Sequence, residues 1–255
     1  MTLETMSDVG FTPAVVSRES GASGIVLVCE HASNFIPDAF GDLGLSRGAR
    51  DSHIAWDPGA LGVARHLSDL LDAPLVAGGV SRLIYDCNRP PEAPDAMPMR
   101  SEAFDVKGNI ELSAAARAAR VAQVYTPFST ALSQVLDASE ARVMITIHSF
   151  TPIYLGQSRP VEIGVLHDAD ARLGDAMLAH ASAHTDLKTE RNQPYGPEDG
   201  VTHTLKEHGI KRGLLNVMLE LRNDLIATQD AQRAMAEMLT PWLCASVAAT
   251  IEAQS

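Results

Sequence analysis

An α/β fold, with a mixed and mostly parallel central sheet and helices on both faces, is predicted by three observations on this 255-residue chain. Short, mostly aliphatic runs at residues 25–28, 142–149 and 214–221 are bounded by glycine, charge or turn formers, as strands buried on both faces are. Segments of helical period, such as residues 57–72 and 229–253, lie between such runs, so strands and helices alternate. No internal repeat divides the chain, and its length fits one large domain over residues 1–255.

Taken in order, residues 1–20 are polar without a clear period and read as an arm or an edge element. The first buried strand, residues 25–28, runs into Cys29, Glu30 and His31 and then into a small-residue turn of Ala32, Ser33 and Asn34. A loop rich in glycine, aspartate and proline extends to about residue 50. Leu61, Ala64, Leu67, Leu70 and Leu71 recur at helical spacing, and Asp57 followed by Pro58 reads as an N-cap with proline at the first helical position, which places a helix at 57–72. Residues 73–77 and 81–86 read as extended, and the prolines of 87–98 break every regular pattern, so that stretch is an exposed or site-lining loop. Residues 113–136 form a long alanine-rich helix with a potential interruption at Pro127. The run 142–149 ends in His148 and Ser149, and 161–168 ends in His167 and Asp168 in the same way. A helix at 169–183, a turn-rich loop at 191–200, a helix at 201–208, a strand at 214–221 carrying Glu220 and a closing helix at 229–253 complete the chain. Connections between parallel strands are expected to be right-handed crossovers.

Composition excludes several classes. With 45% hydrophobic and 20% charged residues, the chain is not disordered, collagen-like or coiled-coil. A net charge of -12 without any Lys/Arg-rich run argues against nucleic-acid and anionic-membrane partners. No apolar run is expected to span a bilayer, and the first residues lack the basic and apolar regions of a secretory signal, so a cytoplasmic location is expected. Cys29, Cys87 and Cys244 are odd in number and lack CxxC spacing, which fits free thiols in a reducing compartment; Cys29 beside His31 reads as a small buried hydrophobe before it reads as a nucleophile.

The signatures GxSxG, GxGxxG, GxxxxGK[ST] and HExxH are all absent. Ser149 follows His148 directly, and adjacent strand residues point to opposite faces, so the two do not pair as nucleophile and base. Metal-assisted or acid/base chemistry is left. Parallel strands would deliver His31 and His148 to one edge of the sheet, where they suit two ligands of a divalent metal that needs a third protein ligand and an open position. Asp57, His53, Asn34 and Glu30 are candidates for the third ligand, and a satisfied loop histidine is the plain alternative for His31. Glu220 is a carboxylate in an apolar strand, costly unless used or paired; it reads as a general base or as a salt-bridge partner of Arg222. Arg82, Asp86, Asn88 and Arg89 gather two arginine forks and an amide at a rigid loop suited to gripping an acidic substrate, or else held by an ion pair to Asp86. Tyr195 and Asp199 belong to a lid or to plain turns.

Six ordered blocks, VCEHASNFIP, DSHIAWDPGALGVARHLSDLL, SRLIYDCNRPP, IHSFTP, PYGPEDGVTHTL and LELRNDLI, together resemble the N-formylglutamate amidohydrolase family over about residues 20–230. The resemblance implies membership of the zinc carboxypeptidase and aspartoacylase clan, with a hydrolase-like α/β core and one catalytic zinc or another divalent metal. It implies a metal histidine after the first strand and a second after a later one, an asparagine-arginine pair on the substrate carboxylate, and a glutamate base, which match His31, His148, Asn88 with Arg89, and Glu220. The clan's usual glutamate three residues after the first histidine is replaced by Asn34, so an acidic third ligand must come from elsewhere, and Asp57 fills that place in preference to His53. Arg82 and Tyr195 complete the expected substrate contacts. The implied reaction is hydrolysis of the amide of an N-acyl amino acid such as N-formyl-L-glutamate, with another acyl-amino-acid or a cell-wall peptide amide as the alternative substrate. A ligand-binding protein without turnover is the reading from a different class.

Overall fold

The buried aliphatic runs become the strands of one sheet, and the computed structural model, which describes residues 3–4 and 10–253, shows how they are ordered. In chain order the strands are β1 (Leu3–Glu4), β2 (Ala14–Ser17), β3 (Ile25–Cys29), β4 (Leu75–Gly78), β5 (Arg100–Ser101), β6 (Phe104–Asp105), β7 (Val143–Phe150), β8 (Ile153–Tyr154), β9 (Gln157–Ser158), β10 (Ile163–Leu166), β11 (Thr189–Arg191) and β12 (Leu215–Arg222). The α-helices are α1 (Arg47–Asp51), α2 (Ala60–Leu71), α3 (Ala114–Arg120), α4 (Thr126–Ala138), α5 (Arg172–His184) and α6 (Gln229–Glu252).

Eight strands form a mixed sheet in the order β1-β2-β4-β3-β7-β12-β10-β11. Its middle, β4-β3-β7-β12, is parallel throughout, whereas β2 and β10 run antiparallel to their inner neighbours. Every residue of β3 and β7 is buried, because helices cover both faces. On one face Leu27, Ile145 and Val217 pack with α2, α5 and α6; on the other Val28, Met144 and Met218 pack with α4 and the long loops. Two hairpins, β5–β6 and β8–β9, stand apart from the sheet.

Several sequence expectations are corrected. The helix expected from Asp57 begins at Ala60, with Gly59 as N-cap at φ 85°, so Asp57 does not cap it. A β-carbon on Gly59 would lie 2.5 Å from the Ile226 carbonyl oxygen, so only glycine fits this approach and this backbone. Residues 81–86 are turns and not a strand: the Ser81 hydroxyl accepts from Leu83 N–H and donates to the Ala55 carbonyl, closing a local loop. The long helix persists through Pro127, because Val121–Tyr125 widens into a π-turn that accommodates the missing proline N–H before α4 continues. Strand β10 runs antiparallel to β12, so His167, just beyond its end, lies at the edge opposite to that of His31 and His148. Of the expected N-terminal arm, residues 1–2 and 5–9 lie outside the described residues, and β1 and β2 form a sheet edge. Contrary to the expectation that no run is long and apolar enough for a membrane span, α6 contains a window of mean hydropathy 1.3 over sufficient length. In this fold Met235, Ala236, Leu239, Trp242 and Leu243 of α6 are buried in the core instead, with the Trp242 indole donating to the Met177 carbonyl at 2.8 Å.

Candidate metal and catalytic site

Strands β3, β7 and β12 end at one edge of the sheet, and the parallel pairing of β7 with β12 sets Glu220 directly beside His148. Both project to the face that carries Met144 and Met218, since they lie an even number of residues from these core side chains. His31 follows β3 by two residues, and its carbonyl accepts the Asp57 N–H at 2.9 Å, which draws the start of the next segment over the strand end. His31, Asp57 and His148 are all buried, and one ligand atom from each falls within 4.8 Å of the others. His31 Nδ1 and His148 Nδ1 are 3.2 Å apart, and Asp57 Oδ2 lies 3.2 Å from the first and 3.0 Å from the second. Two imidazole nitrogens and one carboxylate oxygen converging on a point are the donor set of an open divalent-metal site.

Each histidine is backed by a carboxylate on its other nitrogen. His31 Nε2 is 2.7 Å from Asp86 Oδ1, and His148 Nε2 is 3.1 Å from Glu30 Oε2. The Asp86 contact is a hydrogen bond that fixes the orientation of His31, whereas the Glu30 contact is a close ion pair without hydrogen-bond geometry. Arg82 ties the array together, donating to Asp57 Oδ1 at 3.3 Å and to Asp86 Oδ2 at 2.7 Å, while the Ser149 N–H donates to Asp57 Oδ2 at 3.3 Å. Gly78 allows the backbone of Glu30 to pass close by, since a β-carbon there would lie 2.0 Å from the Glu30 carbonyl oxygen.

Electrostatics follow from this crowding. Burial alone would raise Asp57 and lower the histidines, yet the mutual charges win: His31, His148 and Arg82 hold Asp57 far below the usual carboxylate range, and Glu30 with Asp57 holds His148 well above the usual imidazole range. Burial and Arg82 depress His31, but Asp86 and Asp57 outweigh them and raise it. Asp86, despite burial, is held well below its ordinary value by Arg82 and His31. A metal cation binding here would compete with protons for these imidazoles. Glu220 differs: 5% exposed, with Oε2 lacking any hydrogen-bond partner, it is pushed up by burial to about 7.

A cavity of about 340 Å³ opens onto this cluster and is lined by the three converging residues and by Arg82, Asp86, Asn88, Arg89, Tyr195 and Glu220. Its outer wall comes from the hairpin segments that carry Arg100, Glu102 and Tyr154. Asn88 and Arg89 reach the cavity, but their polar groups are occupied by the protein. The Asn88 amide donates to the Val201 carbonyl and accepts the Thr204 N–H, and the Arg89 guanidinium holds Asp95 and the carbonyls of Asn88, Asp199 and Gly200. They pin the proline loop to the 199–204 segment. Tyr195 accepts from Arg159, so it stands at the wall beside Glu220 and not in an isolated turn. His53 is paired with Glu102 at 2.9 Å on the outer wall, and Asn34 contacts the Arg50 carbonyl and Asp51, so neither approaches the converging nitrogens as a third ligand. Glu30 is the partner of His148. The backing roles of Asp86 and Glu30 were missed from sequence; the signal for Glu30 was a carboxylate closing an otherwise apolar strand, where a charge needs a partner.

A mixed α/β sheet with a two-histidine, one-carboxylate cluster and an unpartnered glutamate at its parallel strand ends defines a hydrolase-type architecture. The family model for N-formylglutamate amidohydrolase matches residues 23–227, and the chain belongs to that amidohydrolase family. Its fold is similar to the crystal structure of gene product Atu2144 from Agrobacterium tumefaciens, with a TM-score of 0.90 and 51% identity over 93% of this chain and 95% of that one. It also resembles the N-formylglutamate amidohydrolase from Ralstonia eutropha JMP134, with a TM-score of 0.60 and 18% identity over 91% of this chain and 95% of that one, a likeness of fold. No curated protein matches the chain.

Proposed function

We propose that this protein is a zinc-dependent amidohydrolase of the cytoplasm that cleaves N-formyl-L-glutamate, or a closely related N-acyl amino acid, to the free amino acid and the carboxylic acid. The observation that carries this reading is the convergence of His31 Nδ1, His148 Nδ1 and Asp57 Oδ2 beside Glu220, a buried carboxylate without a hydrogen-bond partner, in a member of an amidohydrolase family. These three residues would hold a zinc ion, which when bound would supply Lewis-acid chemistry towards a carbonyl and a water. Asp86 orients the His31 ring, Glu30 pairs with His148, and Arg82 holds Asp57 and Asp86 in place, so the donor set would be arranged before an ion bound. Glu220 Oε2 takes a proton from the attacking water and returns it to the amide nitrogen as the C–N bond breaks, so the amine leaves neutral. Burial holds the Glu220 carboxyl near neutrality, where it serves both as acceptor and as donor. Asn88 and Arg89 shape the wall by fixing the loop, and Tyr195 and Arg82 line the cavity in which the substrate would sit.

The test is metal content of the purified wild type and of His31→Ala, with amine or formate release measured across a panel of N-acyl amino acids. About one zinc per chain, lost in the variant together with hydrolysis, is the expected result. A wild type without stoichiometric metal whose turnover is unaffected by Glu220→Gln overturns the proposal.

A further inference from the structure

Arginines around the cavity differ in how they are used. Arg82 is bound to Asp57 and Asp86, Arg89 to Asp95 and three carbonyls, and Arg100 to Asp105 and the Glu102 carbonyl. Arg159, immediately after β9, has no acidic partner among the described residues. Its Cζ lies 4.4 Å from the ring centroid of Tyr154, 4.8 Å from that of Tyr195 and 5.8 Å from that of Phe150, and all three rings line the cavity. Nη1 donates to the Tyr195 oxygen at 2.9 Å, while Nε and Nη2 bond to nothing among the described residues and are not buried. Because Tyr195 accepts that bond, its own hydroxyl hydrogen is uncommitted.

Two arguments give this cation a task. A guanidinium clasped by ring faces is held in place before a ligand arrives, so less side-chain entropy is lost on binding, and its planar fork matches a carboxylate. The strand-end floor is crowded with carboxylates, Glu30, Asp57, Asp86 and Glu220, whose nearby cation Arg82 is already shared between two of them. Arg159 is not itself a lining residue but stands against the Phe150, Tyr154 and Tyr195 rings that are, so the uncommitted positive charge nearest this wall is Arg159, held to the Tyr195 oxygen, and not the fully engaged Arg89. We propose that Arg159, together with the Tyr195 hydroxyl, is the anchor for a carboxylate of the substrate. The inference rests on the amidohydrolase reading above and adds the specificity group to it.

The test compares the zinc-loaded wild type with Arg159→Gln and Tyr195→Phe. Formate release is measured from N-formyl-L-glutamate and from its two monoamides, N-formyl-L-glutamine and N-formyl-L-isoglutamine, and binding of glutarate is measured by calorimetry with glutaramide as the uncharged control. For Arg159→Gln, KM for N-formyl-L-glutamate should rise, and glutarate affinity fall, by roughly 10- to 100-fold, while kcat stays within about threefold. One of the monoamides should be insensitive to the substitution, which identifies the carboxylate that is held. Tyr195→Phe should give a smaller rise in KM of the same kind. Equal losses on all three substrates, or glutarate binding that is unchanged in Arg159→Gln, overturns the anchor and leaves Arg159 as a staple of the hairpin. A wild type that releases no formate yet binds glutarate in an Arg159-dependent way overturns the formyl-substrate reading and keeps the anchor. A wild type that neither hydrolyses these compounds nor binds glutarate overturns both.

Discussion

The floor and the rim of the cavity are built by opposite means. The floor consists of His31, Asp57, His148 and Glu220 at or near the ends of buried parallel strands, with Asp86 and Glu30 behind them and at most 5% of any of these residues exposed. The rim consists of two hairpins with two-residue strands, joined where Glu102 pairs with His53 and accepts the Leu155 N–H. A metal cluster tolerates displacements of only a fraction of an ångström, so it sits where the packed sheet fixes every backbone atom. Recognition tolerates more variation and sits on loops. Arg159 stands between the two, a rim residue fixed by wall aromatics.

Substitutions at the two levels should separate cleanly. The largest effect is expected for His148→Ala, which removes a ligand atom and leaves Glu30 as an unpaired buried charge: metal content should fall to background and kcat/KM by at least about a thousandfold. Glu220→Gln should lower kcat by about 10²- to 10⁴-fold while metal content is unchanged, which distinguishes the proton carrier from the ligands. Asp86→Asn keeps the ring nitrogen ligand but weakens its orientation; zinc affinity should fall roughly 10- to 100-fold, with activity restored by excess zinc. If Asp86→Asn binds zinc as the wild type does, the floor is less cooperative than its geometry implies.

The pH dependence of stability sharpens the same contrast. The Glu220 carboxyl, ordinarily at 4.5, is raised to about 7 in the native protein, so the native state holds this proton more tightly than the unfolded chain. Its contribution therefore weakens stability as pH rises from about 4.5 to about 7, and the full cost is present above that window. Denaturant unfolding of the metal-free protein should show Glu220→Gln gaining roughly 2–4 kcal/mol relative to wild type between the two ends of the window. The smallest effect is expected at the rim, where Glu102→Gln should change unfolding free energy by no more than about 0.5–1 kcal/mol, because the His53 pair is partly solvated. A rim substitution that abolished metal binding would erase the distinction between the levels.

The floor was more legible in the sequence than the rim. Apolar runs ending in His31 and His148 are unusual enough to be read as strand ends, and Glu220 within LLNVMLEL stands out as a charge in a buried strand. What could not be read is pairing, since nothing local states that β12 lies beside β7 or that Glu220 is level with His148. Asp57 reads locally as a helix cap because aspartate before proline is an N-cap signal, whereas in the fold Gly59 takes that place and Asp57 turns to His148. The segment 81–86 looked extended because Leu83, Ile84 and Tyr85 are buried, yet they are buried by loop packing held through the Ser81 hydroxyl. Arg159 carries no sequence signal at all: its meaning comes from rings at 150, 154 and 195 that only the fold assembles.

The spacing of the converging residues along the chain has a consequence for how the molecule is made. His31 and His148 are separated by 117 positions, and Asp57 and His148 by 91. The pairing of β3 with β7 and of β7 with β12 is what brings these positions to one edge, and such non-local parallel pairing is intrinsically slow to form. If the cluster takes up a metal as proposed, uptake would therefore report chains in which the central strands have already paired.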